Sequence, residues 1–152
     1  MKHSLVSVAF VVALGLPASD AWSQARPETL VKQRQAVMTL QGKYIGPVAG
    51  MATGKVPYNA DAVARNATYL ENLVQMAWDG FHESTKDEKN TRALPKIYAE
   101  KAKFYDYAQR LQAEASKLAQ AARAKDEAGV KKQFPAVLNT CNGCHDDFRQ
   151  KQ

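Results

Sequence analysis

Near its end the chain reads Cys141-Asn142-Gly143-Cys144-His145, which has the pattern C-x-x-C-H. This pattern is typical of covalent attachment of a c-type haem, in which two thiols form thioethers and the imidazole binds the iron. On a helix, positions i, i+3 and i+4 share one face, so Cys141, Cys144 and His145 can face the same porphyrin. Gly143 keeps the backbone low beside the ring. The motif therefore predicts one haem c, attached through both cysteines, with His145 as the proximal iron ligand.

Two other chemistries use paired cysteines. A redox dithiol is expected where a strand leads into a helix, and the chain has no convincing strand pattern. A structural zinc site needs four ligands, whereas residues 26–152 contain two Cys and two His, with His82 lying 59 residues before Cys141. A disulfide-exchange protein with free Cys141 and Cys144 is kept as an alternative, and the mass of the mature protein distinguishes it, since attachment adds one haem.

Residues 1–25 have the pattern of a secretory signal peptide. A short basic start is followed by an apolar run of 12 residues at 5–16 and by Ser23-Gln24-Ala25 at the expected cleavage site. The run is shorter than the ~20 residues that span a bilayer. We therefore expect export with cleavage, no membrane span after cleavage, and one domain over residues 26–152.

The formal net charge is +6, and it stays +6 without residues 1–25, because Lys2 and Asp20 cancel. This excess favours attraction to acidic redox partners. Export and the lack of a nucleic-acid-binding motif argue against a nucleic-acid partner. Because no paired carboxylates, nucleophile with base or phosphate-binding loop stands out, we do not expect an enzyme.

Hydrophobic periodicity predicts four amphipathic helices, and hence an all-α antiparallel four-helix bundle. The first helix is expected from about 27 to 44, ended by Gly46-Pro47, and the second from Asn59, a good N-cap. The third is expected at about 95–124 and the fourth at 126–150, with Pro135 causing a kink or a later start. Residues 82–92 are expected to form a surface loop. The inner face of the third helix is Ile97, Phe104, Ala108, Leu111, Ala115, Leu118 and Ala122.

A sixth iron ligand must come from an earlier segment, because only seven residues follow His145. Met51 lies in a glycine-rich loop, Met76 lies off the inner face of the second helix, and His82 lies in the polar loop. Met38 lies on an inward stripe of the first helix. We therefore expect Met38 on the distal side of the haem, either bound to iron or filling the core.

Four further residues are candidates for haem contact. Arg149 follows His145 by one helical turn, which brings it near the imidazole or a haem propionate, although a cation also suits a helix C-terminus. Arg34 precedes Met38 by one turn and either pairs with a propionate or is a surface charge. Trp78 and Phe81 either stack on the porphyrin or close one end of the core.

The sequence resembles the class II c-type cytochromes, the cytochrome c′ family, over residues 27–152. The resemblance rests mainly on the motif at residues 141–149, close to the C-terminus. The supporting segments are Arg34-Gln35-Ala36-Val37-Met38, Val56-Pro57-Tyr58-Asn59, Ala77-Trp78-Asp79-Gly80-Phe81 and Pro95-Lys96-Ile97-Tyr98.

This resemblance implies a periplasmic haem protein of one of two kinds. In six-coordinate members a Met of the first helix binds iron, and these are electron carriers. In five-coordinate members an apolar residue blocks the distal face, and these bind nitric oxide or carbon monoxide. Met38 lies at the deciding position, but some five-coordinate members also have Met there, and residues 95–101 look more like the six-coordinate group.

The main hypothesis is therefore an electron carrier that cycles between Fe(III) and Fe(II), and the alternative is a gas-binding protein. Lys131, Lys132, Arg149 and Lys151 are expected to attract acidic partners to the haem edge. The family often forms homodimers through its first two helices, which the apolar stripe of the second helix permits.

Overall fold

Four long helices form the body of the molecule in a computed structural model, which describes residues 25–151. The expected signal peptide lies almost wholly outside the described residues. The helices are α1 (Pro27–Ala52), α2 (Ala60–Met76), the short α3 (Lys96–Ala99), α4 (Lys101–Arg123) and α5 (Glu127–Phe148), with 3-10 turns at Trp78–Phe81 and Glu83–Thr85 between α2 and α3. The predicted four-helix bundle is confirmed, with α1, α2, α4 and α5 as its long helices. Within residues 25–151, no helix combines the length and apolarity needed to cross a bilayer.

The predicted end of the first helix at Gly46-Pro47 is wrong, because α1 continues to Ala52 through Pro47. A proline inside a helix costs ~3 kcal/mol or more, since it removes one hydrogen bond and crowds the preceding turn. The extra turns bury Val48 and Met51 in the main core. Burial of two such side chains contributes ~1.5–3 kcal/mol each, which offsets the cost.

The fourth helix also passes through its proline. It begins at Glu127, where the Asp126 side chain accepts a hydrogen bond of 2.9 Å from the Gly129 amide, and it continues through Pro135 to Phe148. A start after Pro135 is therefore excluded. The predicted N-cap of the second helix is confirmed, since Asn59 Oδ1 accepts from the Ala62 amide at 2.9 Å.

The predicted third helix is divided in two at Glu100, whose φ of −114° and ψ of 44° are not helical. All seven residues expected on its inner face are nevertheless buried. The division lets Ile97 join Phe104 and Phe148 in a small cluster separate from the main core. The helical spacing of the buried residues thus continues across Glu100, although this spacing does not predict the break in the helix there.

The segment 82–92 is less exposed than expected, because Thr85 is fully buried. The following residues pair with the chain end through an isolated antiparallel bridge between Ala93 and Arg149. The Leu94 amide donates to the Phe148 carbonyl at 2.9 Å, and the Gln150 amide donates to the Arg92 carbonyl at 2.8 Å. This bridge fixes the end of α5, directly after the C-x-x-C-H motif.

Candidate haem site

The C-x-x-C-H motif occupies the last two turns of α5 and borders a large cavity of about 730 Å³. Cys141, Cys144 and His145 all line this cavity. The i, i+3 and i+4 spacing on one helix places these three residues on one face, as expected. Both cysteines are free thiols and half-buried. The motif therefore borders this space through two half-buried cysteines, while His145 also reaches the solvent.

The other walls of the cavity are mostly apolar and come from every long helix of the bundle. α1 contributes Met38 and Ile45, α2 contributes Leu70 and Val74, and α4 contributes Phe104, Tyr107 and Leu111. Polar groups gather at one end, where Arg34, Thr91, Arg92 and Arg149 line the same space. An apolar cavity with cations at one end fits haem, because haem combines an apolar ring with two carboxylates on one edge.

The two thiols are not tuned as a redox dithiol. Burial raises the pKa of Cys141, and burial together with the charges of Cys141 and Asp147 raises the pKa of Cys144 to about 11. Reactive C-x-x-C pairs have a lowered pKa, since the thiolate is the nucleophile. Within residues 25–151, no group of three His, Cys, Asp or Glu side chains is placed to hold a metal ion. The donor set fits thioether attachment and argues against both dithiol exchange and structural zinc.

His145 lies at the junction of the cavity and the solvent. Burial of the ring lowers its pKa, the Arg149 charge lowers it further, and Asp146 opposes this change. The neutral imidazole is the form that binds metals. The surroundings of His145 therefore favour the ligand form at neutral pH.

Met38 is half-buried on α1 and lines the cavity that His145 also lines from α5. Met76, by contrast, is 57% exposed, and Met51 is buried in the main core away from this cavity. His82 is exposed, and its Nδ1 accepts from the Ser84 amide at 3.1 Å. Among these candidate sixth ligands, Met38 is the one that borders the cavity.

Trp78 and Phe81 line the cavity beside Phe104. The ring centroids of Trp78 and Phe104 are 5.8 Å apart, and those of Phe81 and Phe104 are 4.8 Å apart. These three rings therefore form one aromatic wall of the cavity. In this position Trp78 and Phe81 can both close one end of the core and contact the porphyrin.

Arg34 is buried, with 3% of its surface exposed, so the surface-charge interpretation is wrong. Its guanidinium donates to the Gly80 carbonyl at 2.6 Å, to Thr85 Oγ1 at 2.9 Å and to Thr91 Oγ1 at 3.0 Å. It also lies 4.5 Å from the centroid of the Phe81 ring. No carboxylate in residues 25–151 forms an ion pair with it, which leaves a buried positive charge facing the cavity.

The hydrogen-bond partners of Arg34 were not identified from the sequence. Thr85 and Thr91 lie in the loop that composition marked as exposed. A signal for Arg34 itself was present, because positions 31, 34, 38, 41, 45 and 48 repeat at helical spacing, and Arg34 falls within this inward stripe. Gln41 on the same stripe is also buried.

Tyr107 is a second residue that the sequence did not reveal. A Cβ added to Gly143 would lie only 3.0 Å from Tyr107 Cε1, so α4 packs closely against the spacer between the two cysteines. The Tyr107 hydroxyl donates to Asp147 Oδ2 at 3.0 Å, and Lys103 Nζ lies 2.8 Å from the same oxygen. This contact gives Gly143 a specific role, because a larger residue would push α4 and the motif apart.

The expected basic patch does not form one surface. Arg149 and Lys151 lie beside His145, whereas Lys131 is 14 residues earlier on α5, or ~21 Å along the helix axis. Lys131 instead pairs with Glu127 and lies 5.9 Å from the Tyr58 ring centroid. Arg92, Arg149 and Lys151 line one pocket together with His145, and of these three cations Arg92 was not predicted.

Comparison with known proteins agrees with this site. The family model described as Cytochrome C' matches residues 29–149. Cytochrome c' of Halomonas halodenitrificans is 34% identical over 82% of this chain and 98% of its own length, and cytochrome c' of Rhodopseudomonas palustris is 32% identical over 100% and 99%. A nitric oxide complex of a cytochrome c prime mutant from Alcaligenes xylosoxidans superimposes with a TM-score of 0.78 at 32% identity, covering 86% of this chain and 100% of that one.

The match covers all four long helices and ends at Arg149, so it includes the whole cavity and the attachment motif. Together with the two free thiols that border this cavity, it identifies the cofactor as one covalently attached haem c. The chain belongs to the cytochrome c′ family of class II c-type cytochromes.

Proposed function

We propose that this haem c protein binds a small diatomic gas, nitric oxide or carbon monoxide, on the side of the haem that Met38 borders. The observation that carries the proposal is the apolar cavity on which Met38 and Ile45 of α1 converge with Leu70 and Val74 of α2. A dry, apolar wall suits a small uncharged ligand. Structures of Alcaligenes xylosoxidans cytochrome c prime variants with bound nitric oxide add support.

Each residue of the site has a distinct role in this proposal. Cys141 and Cys144 hold the haem as thioethers, and His145 supplies the proximal imidazole. The haem iron supplies the gas-binding position and the Fe(III)/Fe(II) change. Trp78 and Phe81 exclude water along one wall, since both line the cavity with Phe104.

Arg34 pairs with a haem propionate in this proposal. A buried charge without a partner is costly, and Arg34 has no carboxylate partner within residues 25–151. Its bonds to Gly80, Thr85 and Thr91 fix the guanidinium at the polar end of the cavity. Arg149 lies on the proximal side, where its charge acts on His145.

Electron transfer is the second candidate function, and the choice between the two functions depends on whether Met38 binds the iron. If the Met38 thioether binds iron, it favours Fe(II), raises the potential and closes the gas site. Acidic redox partners would then dock at the cations beside His145. We rank gas binding first because the nitric oxide complexes among the relatives agree with it.

The same proposal covers where the protein lies and how it assembles, and it assigns the protein no catalytic reaction. The signal pattern at residues 1–25 supports a periplasmic protein. Exposed apolar residues on α1 and α2, Leu40 at 38% and Tyr69 at 44%, support a homodimer through these helices. The Tyr44 and Tyr69 rings, 4.8 Å apart, link the two helices at this surface.

The decisive experiment is the visible spectrum of the purified protein, ferric and ferrous, with and without carbon monoxide. Gas binding by a pentacoordinate haem predicts broad high-spin bands and rapid carbon monoxide uptake. Sharp low-spin bands, a weak sulfur-to-iron band in the far red and slow uptake would instead show Met38 on the iron.

Two variants separate ligation from packing. If Met38 does not bind the iron, Met38→Ala should leave the high-spin spectrum unchanged. It should nevertheless increase the rate of gas binding, because it enlarges the space on the side of the haem that Met38 borders. The matched control is Met76→Ala, which removes an exposed methionine and should change neither quantity. His145→Ala should abolish the normal iron spectrum while the haem stays attached, and an unchanged spectrum would exclude His145 as the ligand.

A further inference from the structure

A second, smaller cavity lies on the solvent side of His145, where α5 ends. Its volume is about 160 Å³, and it is lined by Arg92, His145, Asp146, Arg149, Gln150 and Lys151. This cavity opens widely to solvent and is large enough to admit a small polyatomic ion. The main haem cavity also touches Arg92, His145 and Arg149, so these residues separate the two spaces.

The backbone that carries the two arginines is held in place. The bridge between Ala93 and Arg149 joins their segments, and the Arg92 guanidinium donates to the Gln150 carbonyl at 2.7 Å. The Arg149 amide donates to the His145 carbonyl at 3.1 Å. Both arginines therefore line this cavity from backbone that hydrogen bonds hold in place, which reduces the entropy cost of binding an anion.

The charge of this cavity is unbalanced. Three cationic side chains face one carboxylate, Asp146, whose Oδ1 lies 3.8 Å from Lys151 Nζ. Neither Arg92 nor Arg149 forms an ion pair with any carboxylate of the part of the chain described here. The C-terminus of α5 adds roughly half a negative charge, which leaves the groups within residues 25–151 that line this cavity with a net positive charge of more than one.

We propose that Arg92 and Arg149 bind a small inorganic oxyanion, of the phosphate or nitrate type, in this cavity on the proximal side of the haem. Guanidinium groups bind such anions through paired, charge-assisted hydrogen bonds. An anion there lies beside the His145 ring and partly cancels the positive charge next to it. The bound anion should therefore make the His145 imidazole a stronger electron donor to the haem iron. This effect on the iron rests on the proposed function, whereas the binding of the anion does not.

The test uses the haem-containing protein and inorganic phosphate, with sodium chloride added to keep the ionic strength constant. Exposed arginines are labelled with phenylglyoxal, and the labelling rate at each site is read by peptide mass spectrometry. At a phosphate concentration ten times the dissociation constant, labelling of Arg92 and Arg149 should slow roughly ten-fold. Arg65, an exposed arginine of α2, serves as the internal control and should keep its rate.

Variants test whether the two arginines act together. Arg92→Gln should weaken the phosphate protection of Arg149 by about ten-fold, and Arg149→Gln should do the same to Arg92. An unchanged circular dichroism spectrum shows that each variant is folded. If one variant does not fold, the other gives the same test.

Several outcomes would overturn the proposal. Equal protection at Arg65, or equal protection by chloride alone, would show general screening. Arginines that resist labelling before phosphate is added would show that another group, such as a haem propionate, fills the cavity. Protection by polyglutamate but not by phosphate would mean an acidic protein surface as the partner. None of these results depends on whether the haem binds gas.

Discussion

Replacement of Gly80 by alanine should destabilise the haem-containing protein strongly although it adds only one methyl group. A Cβ at this buried position would lie 2.6 Å from the Arg34 Cβ and 2.9 Å from the Leu30 carbonyl oxygen. Both contacts belong to α1, so relief requires the Trp78–Phe81 turn to move away from that helix. The φ angle of Gly80 is not in the left-handed region, so the effect comes from space and not from backbone conformation.

The size of the effect follows from two contributions. Overpacking of a core costs ~1–3 kcal/mol. Displacing the Gly80 carbonyl from the buried Arg34 guanidinium, now 2.6 Å away, weakens a charged hydrogen bond worth ~1.5–3 kcal/mol. We therefore expect a loss of about 2–5 kcal/mol of unfolding free energy. For a domain of about 127 residues, 1 kcal/mol corresponds to roughly 4 °C, so Tm should fall by about 8–20 °C.

The assay is thermal and guanidinium unfolding of the purified holoprotein, followed by far-ultraviolet circular dichroism. Gly46→Ala in α1 is the matched control, because a Cβ at Gly46 meets nothing within 4 Å and Gly46 does not line the haem cavity. Alanine is a better helix former than glycine, but Pro47 crowds the residue before it, so this variant should change the unfolding free energy by less than about 1 kcal/mol. A Gly80→Ala protein as stable as the wild type would refute the close approach of this turn to α1.

Three other perturbations test the same architecture. Arg34→Gln should lower the unfolding free energy by about 2–4 kcal/mol through lost charged hydrogen bonds, whereas Arg65→Gln on the α2 surface should change it by less than about 0.5 kcal/mol; urea unfolding of both variants checks this. Asp126→Ala removes the cap of the Gly129 amide and should cost ~1 kcal/mol, and a Tm unchanged in calorimetry would contradict that cap. Hydrogen bonds from Lys103 and Tyr107 lower the pKa of Asp147 below 3.8, so near and below that pH the unfolded chain binds more protons. This contribution to stability is complete above pH 3.8 and is lost on acidification. Asp147→Asn should therefore reduce the fall in unfolding free energy between neutral and acidic pH, as measured by urea unfolding over that range. An unchanged pH dependence would contradict the stabilising role of the Asp147 carboxylate.

The positions of the helices were predictable wherever neighbouring residues alone determine the backbone conformation. Asn59 and Asp126 begin helices because their short polar side chains satisfy free amides, and this depends only on nearby sequence. The inner face of α4 followed from its spacing alone. The proposed haem-attachment residues were recognisable because Cys141, Cys144 and His145 form a local motif.

The errors arose where tertiary contacts outweighed local preference. Pro47 predicts a helix end, but burial of Val48 and Met51 farther along carries α1 past it. The polar sequence around Thr85 predicts an exposed loop, yet that residue is fully buried because it bonds to Arg34, 51 residues earlier. Sequence spacing cannot report partners so far apart, and the second failure concerns the polar end of the haem cavity, where Thr85 holds Arg34.

The size of the main cavity has a consequence for the order of maturation. This cavity of about 730 Å³ is partly open to solvent, and its walls around Leu70, Val74 and Leu111 are apolar and hydrate poorly. Covering these walls with the haem ring removes apolar surface from water, which stabilises the bundle by ~25 cal/mol for each Å² covered. A chain without its cofactor should therefore close this space or loosen, which would hide or misplace Cys141 and Cys144. Attachment must then precede the final packing, so that the prosthetic group serves as the template around which the bundle closes.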